Sequence, residues 1–127
     1  SCITAFVQHA AIAALNLDPN IIGGMRDAFI ERRNSMIEML NDIPGISCRK
    51  PKGAFYAFAN VQPLLGRTFA GKQLNTAIDL ADYLLNEAKV AVVPGEAFGE
   101  EGFIRLSYCN SPMELERGIK RIRDALV

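Results

Sequence analysis

The chain has 127 residues, half of them apolar and 22% charged, which fits one globular domain and excludes both a disordered chain and two separate cores. Its 14 basic and 14 acidic side chains cancel, so charge gives no reason to expect nucleic acid or an anionic membrane surface as a partner. Apolar runs are short and broken by charges, so no membrane-spanning helix is expected.

In chain order, residues 4–16 read as a helix, with Val7, Ala10, Ala11, Ala14 and Leu15 at helical spacing. Asp18 and Pro19 then start a second helix, because Asp is a good N-cap and Pro suits the first helical position. That long helix runs to about Asp42, on an apolar stripe of Ile22, Met25, Phe29, Met36 and Leu40. Gly23 and Gly24 weaken its first turns, so a bend or fraying is expected there. Pro44 and Gly45 end it.

Residues 46–49 form a short strand candidate. Lys50-Pro51-Lys52-Gly53 is turn chemistry, and residues 54–58 make a second strand, so a hairpin is expected. Residues 60–73 read as a loop, and 74–88 as an amphipathic helix. Residues 90–93 are an apolar run bounded by Pro94-Gly95, consistent with a buried strand. A glycine-bearing loop follows over 94–101, then a last strand over 103–108. Ser111-Pro112-Met113-Glu114 has the form of a capping box. Leu115, Ile119, Ile122 and Leu126 then mark one face of a final helix. The assembly expected is α+β: a small, mostly antiparallel sheet of about four strands, with helices packed on it and a long helix before it.

Chemistry-bearing motifs are sparse. His9 is the one histidine, with no ligand partner at metal spacing, so a structural or surface role is expected and no metal site. Cys2, Cys48 and Cys109 show no Cys-x-x-Cys spacing and read as reduced thiols of an intracellular, cytoplasmic protein. No basic segment leads into a hydrophobic stretch at the N-terminus, so no leader peptide is expected. Pro94-Gly95-Glu96-Ala97-Phe98-Gly99 lacks phosphate-loop spacing and is either a plain turn or a binding loop. In the last strand, alternation puts Phe103, Arg105 and Ser107 on one face and Ile104, Leu106 and Tyr108 on the other. Arg105 therefore needs water, an internal acid or a ligand carboxylate that matches its planar fork.

Taken together, three segments resemble the C-terminal part of class I/II, fold type I, pyridoxal-phosphate aminotransferases, especially the aspartate-aminotransferase-like group. They are Lys50 to Tyr56, Val93-Pro94-Gly95 with Phe98-Gly99, and Ile104-Arg105-Leu106-Ser107-Tyr108. The opening stretch, with Ser1, Thr4, Gln8 and its alanine-rich helix, is similar to the family's entry into its small domain. Cys2 and Ile3 stand where many relatives have Asn-Pro, and Ala5 where many have a small hydroxyl residue.

The resemblance implies that residues 1–127 are one C-terminal small domain of a larger enzyme, with 1–42 connecting to a large domain. It implies an enzyme that moves an amino group between an amino acid and a 2-oxo acid with pyridoxal phosphate, working as a homodimer. Arg105 then takes the substrate α-carboxylate, and Lys52, Gly53, Phe55, Tyr56, Gly95 and Phe98 shape the mouth of the site. The family's Schiff-base lysine belongs to the large domain, and Lys50, Lys52, Lys72, Lys89 and Lys120 fall in other motifs. The chain alone is accordingly expected to be inactive and to bind no cofactor. A fold type I lyase or acyltransferase, a non-catalytic amino-acid-binding module, and a purely structural or dimerisation domain are the alternatives.

Overall fold

The computed structural model describes residues 2–127; the expectation placed on Ser1 lies outside them. Helix α1 (Ala5–Leu15) buries none of its residues. Helix α2 (Pro19–Asn41) starts as its sequence requires, with the Asp18 carboxylate accepting from the Asn20 N–H at 2.9 Å. It runs through Gly23 and Gly24 without a break, so the fraying expected there does not occur. Only the C-terminal part of its apolar stripe is covered. Met36, Ile37 and Leu40 are buried, whereas Ile22 and Met25 are each 57% exposed. The reason is positional: the sheet meets only the second half of the helix.

Strands β1 (Ser47–Cys48) and β2 (Tyr56–Asn60) form the expected antiparallel hairpin, pairing Ser47 with Asn60 and Cys48 with Ala59. Strand β2 begins two residues later than its sequence predicts because Ala54 sits at φ +60°, outside the extended region. Asn41 secures the free edge of β1: its amide donates to the Cys48 carbonyl at 3.1 Å and accepts from the Cys48 N–H at 2.7 Å. A side chain thus supplies the hydrogen bonds a further strand would have made.

The stretch expected as a loop holds more structure. A 3-10 turn (Gln62–Leu64) leads into a second hairpin, β3 (Arg67–Phe69) with β4 (Lys72–Leu74). Its two-residue connection, Ala70-Gly71, takes φ of +46° and +80°. Positive φ at both positions is the geometry that matches strand twist. Helix α3 (Ala77–Tyr83) consequently starts after Leu74, under a reciprocal cap between Thr76 and Asp79. It ends in a wider π turn over Leu84–Ala88, closed by Lys89 in the left-handed conformation.

Strand β5 is reduced to Val93–Pro94, and a 3-10 turn (Gly95–Phe98) occupies the glycine-bearing loop. Strand β6 (Phe103–Ser107) and helix α4 (Pro112–Leu126) complete the chain. At the head of α4, Ser111 Oγ accepts from the Glu114 N–H at 3.3 Å, but the Glu114 carboxylate pairs with Arg117. Leu115, Ile119, Ile122 and Leu126 are all buried, each contributing about 1.5–3 kcal/mol through removal from water.

The main sheet runs β1-β2-β6-β5, antiparallel throughout. Its inner face carries Ala57, Ala59, Ile104 and Leu106 into the core beneath α2, α3 and α4. The fold is the α+β arrangement expected, with one small hairpin added. Its outer face, bearing Tyr56, Phe58, Phe103 and Arg105, is only half-buried.

Candidate carboxylate site

Arg105 is the centre of that outer face. Strand β6 lies between β2 and β5, and the register sets Arg105 opposite Phe58 on one side and Val93 on the other. Its neighbours on the same face are therefore fixed by strand pairing. The guanidinium carbon is 4.3 Å from the centre of the Tyr56 ring on β2. It is 4.2 Å from the Phe98 ring, which comes from the turn after β5. Phe103 stacks on Phe58 at 5.1 Å, and Phe98 meets Phe58 edge-on at 6.3 Å, so the Phe98 ring is itself buttressed.

Among the described residues, Arg105 makes no ion pair and no side-chain hydrogen bond. Of the options left open by alternation, pairing with an internal acid is thereby removed. Two aromatic contacts hold the guanidinium by cation–π attraction, while its N–H groups stay unpaired. A half-buried planar fork held in one place is suited to bidentate capture of a carboxylate.

The residues expected at the mouth separate into groups. Tyr56 and Phe98 touch Arg105. Phe55 lies behind Tyr56, with ring centres 4.1 Å apart. Gly95 opens the turn that carries Phe98, and it is glycine for a steric reason: a Cβ there would fall 2.2 Å from the Glu100 carbonyl oxygen. Lys52 and Gly53 lie elsewhere, in a hollow against α2 with Arg26, Phe29, Arg33 and Tyr108. On the other side of Tyr56, a groove of about 730 Å³ is lined by Ser47, Arg49, Lys50, Phe58 and Phe103.

Tyr108 links these parts. Its ring is buried, its hydroxyl donates to the Ala54 carbonyl at 3.0 Å, and its N–H donates to the Phe55 carbonyl at 3.0 Å. The left-handed Ala54 is held by these bonds. Burial pushes the Tyr108 phenol up from its ordinary value, against a smaller opposing effect of the Arg33 charge. From the far side, Arg33 donates to the Pro51 carbonyl at 3.1 Å. Alternation sets Phe103 on the face of Arg105, but the sequence marks neither it nor Phe58 as a site residue. Their signal is the period-two spacing Tyr56-x-Phe58 and Phe103-x-Arg105, which acquires meaning only once the two strands are in register.

Among the described residues, the structure is an α+β unit whose antiparallel sheet bears an unpaired, aromatic-flanked arginine on its open face. Comparison with known proteins gives it a family. Residues 1–122 match the model of aminotransferase class I and II, and the chain belongs to that family. It is 46% identical to an aspartate aminotransferase of Streptomyces avermitilis over 91% of its own length and 28% of that protein's. It is 42% identical to a probable aspartate/prephenate aminotransferase of Aquifex aeolicus, over 99% of its length and 31% of that protein's. The crystal structure of an aspartate aminotransferase from Rhizobium meliloti superposes with a TM-score of 0.96 at 40% identity, covering 99% of this chain and 32% of the other. The chain thus spans about a third or less of the length of these relatives.

The family implies pyridoxal phosphate in its full-length enzymes, and the lysines of this chain do not have the surroundings of its Schiff base. A Schiff-base lysine needs shelter and a lowered pKa. Lys50, Lys52, Lys72, Lys89 and Lys120 are all exposed; Lys72 pairs with Glu87, and Lys89 donates to the Asn86 carbonyl. What this chain does offer is a guanidinium that no acid among the described residues neutralises, held between Tyr56 and Phe98.

Proposed function

We propose that this chain is the C-terminal small domain of a pyridoxal-phosphate aminotransferase, with its first 42 residues leading from a large domain. The overall reaction exchanges groups between two substrates: an amino acid and a 2-oxo acid become the corresponding 2-oxo acid and amino acid. Arg105 anchors the α-carboxylate common to both. Tyr56 and Phe98 hold the guanidinium, Phe55 and Gly95 support those two rings, and Lys52 and Gly53 border a separate hollow against α2. The enzyme is read as a cytoplasmic homodimer; no described helix is long and apolar enough to cross a membrane.

The observation that carries this reading is the Arg105 guanidinium, unpaired between two rings. An arginine kept on a sheet face without an acid is poised for a ligand acid, and fixing one end of the substrate is how a protein orients the other. The names of the relatives make L-aspartate the first amino donor to test.

The experiment is an assay of the complete polypeptide containing this chain, with L-aspartate and a 2-oxo acid. Stoichiometric appearance of the new amino acid and the new 2-oxo acid supports the proposal. Release of free ammonia or carbon dioxide without exchange would replace it with a lyase.

A further inference from the structure

Phe98 is 47% exposed, yet its ring is held against Arg105. Burial alone does not fix a ring with so much surface in water, so its backbone must be placed by something else. The turn that carries it is constrained at one end by Gly95, whose carbonyl accepts from the Glu100 N–H at 3.1 Å. Its other end is Gly99, at φ +79°. Between them, the Glu96 side chain reaches across to α3: Oε1 accepts from the Ala77 N–H at 3.1 Å.

That contact is not the ordinary cap of α3. Thr76 Oγ1 already accepts from the Asp79 N–H, and the Asp79 carboxylate accepts from the N–H groups of Asn75 and Thr76. Ala77 N–H is among the first-turn donors these two leave over, and Glu96 takes it from 19 residues away. The second oxygen, Oε2, is buried without a hydrogen-bond partner, which is unfavourable for a carboxylate. A small side chain caps a helix without that cost, as Thr76 does. What the longer acid adds is a tie between α3 and the turn bearing Phe98.

We infer that Glu96 is a positioning residue for the carboxylate site: by fastening the Gly95–Phe98 turn to α3, it holds Phe98 against Arg105. The inference rests on the proposed role of Arg105 for its functional consequence, but not for its structural test. Glu96 makes no ion pair with the guanidinium; it acts through the ring.

The test uses the complete polypeptide with isotope-labelled arginine. The Arg105 Nε–H resonance, assigned by its loss in Arg105→Lys, reports the ring current of Phe98. Glu96→Ala should move it to where Phe98→Ala moves it. Glu96→Asp keeps the charge but shortens the reach, and should do the same if the alanine variant fails to fold. Glu96→Gln retains an acceptor for Ala77 and should leave the resonance in place. Thr76→Ala weakens α3 without touching the tie and should also leave it. An unmoved resonance in Glu96→Ala and Glu96→Asp, or an equal shift in Thr76→Ala, would overturn the inference.

Kinetics supply the separate arm: with the ring released, KM for the amino donor should rise about tenfold while kcat changes less than about twofold. A shifted resonance with an unchanged KM would uphold the hold of Glu96 on Phe98 and overturn Arg105 as the anchor.

Discussion

Arg105 and Phe98 come from different elements, β6 and the turn after β5, and meet with the guanidinium carbon 4.2 Å from the ring centre. With Tyr56 on the other neighbouring strand, this contact holds a cation that no protein acid neutralises among the described residues. Replacing Arg105 by Lys keeps the charge but removes the planar fork. Weaker substrate binding by about 10- to 100-fold is expected, from a charged hydrogen bond worth about 1.5–3 kcal/mol. Because Arg105 is only half-buried and unpaired, the urea midpoint should barely change. A large loss of stability would make the arginine structural instead.

Gly95 and Gly118 should respond to alanine in opposite senses. At Gly95 an added Cβ would sit 2.2 Å from the Glu100 oxygen and 2.8 Å from the Phe103 oxygen. The turn must then shift, destabilising the fold by about 1–3 kcal/mol and moving Phe98. At Gly118, inside α4, a Cβ meets nothing within 4 Å. Alanine there should stabilise by up to about 1 kcal/mol through helix propensity. Urea unfolding of both variants checks the pair.

Tyr108→Phe removes the hydroxyl that donates to Ala54, a residue held at φ +60°. A loss of about 1 kcal/mol is expected, read from urea unfolding. Amide exchange over residues 53–55 should also quicken. Unchanged exchange there would show that the Ala54 conformation needs no help from Tyr108.

The pH dependence of stability should have two limbs. The Asp79 carboxyl is held below its ordinary value by the Asn75 N–H first, then by the Thr76 hydroxyl and N–H. A depressed folded pKa gives stability that is present above the unfolded value and lost as pH falls through the folded one. Asp79→Asn should therefore flatten the acid limb of Tm against pH. Burial pushes the Cys48 thiol and the Tyr108 phenol up, each as its largest effect. Their contribution is complete below the unfolded values and is lost as pH rises through the folded ones. The alkaline limb should shrink in Tyr108→Phe.

The exposed apolar side chains of α1 and early α2, among them Phe6 at 75% and Leu15 at 87%, should make the isolated chain self-associate. Sedimentation at rising concentration checks this, and Leu15→Glu should reduce the association.

Most of the architecture was legible from local chemistry. Asp18-Pro19 starts α2, Ser111-Pro112 starts α4, and the alternation across 103–108 sorts Ile104 and Leu106 inward and Arg105 outward, as observed. The missed pieces have separate physical causes. The β3–β4 hairpin turns on Ala70-Gly71, and alanine at positive φ carries none of the usual Asn or Asp signal. The start of α3 at Ala77 rests on a Thr76–Asp79 box within a stretch that also reads as amphipathic helix. The buried stripe of α2 stops short because periodicity marks an apolar face but not what covers it. At the site, Arg105 stood out from its strand, whereas the Phe58–Phe103 stack and the reach of Glu96 to Ala77 depend on register and tertiary approach.

The most direct test of the central claim compares an amino acid with its α-carboxamide as ligands of the complete polypeptide, in the wild type and in Arg105→Ala. If Arg105 receives the α-carboxylate, the wild type prefers the acid by at least about tenfold, and the variant loses that preference while binding the amide unchanged. If Arg105→Ala weakens acid and amide equally, or neither, the carboxylate is held by some other group and the account is wrong.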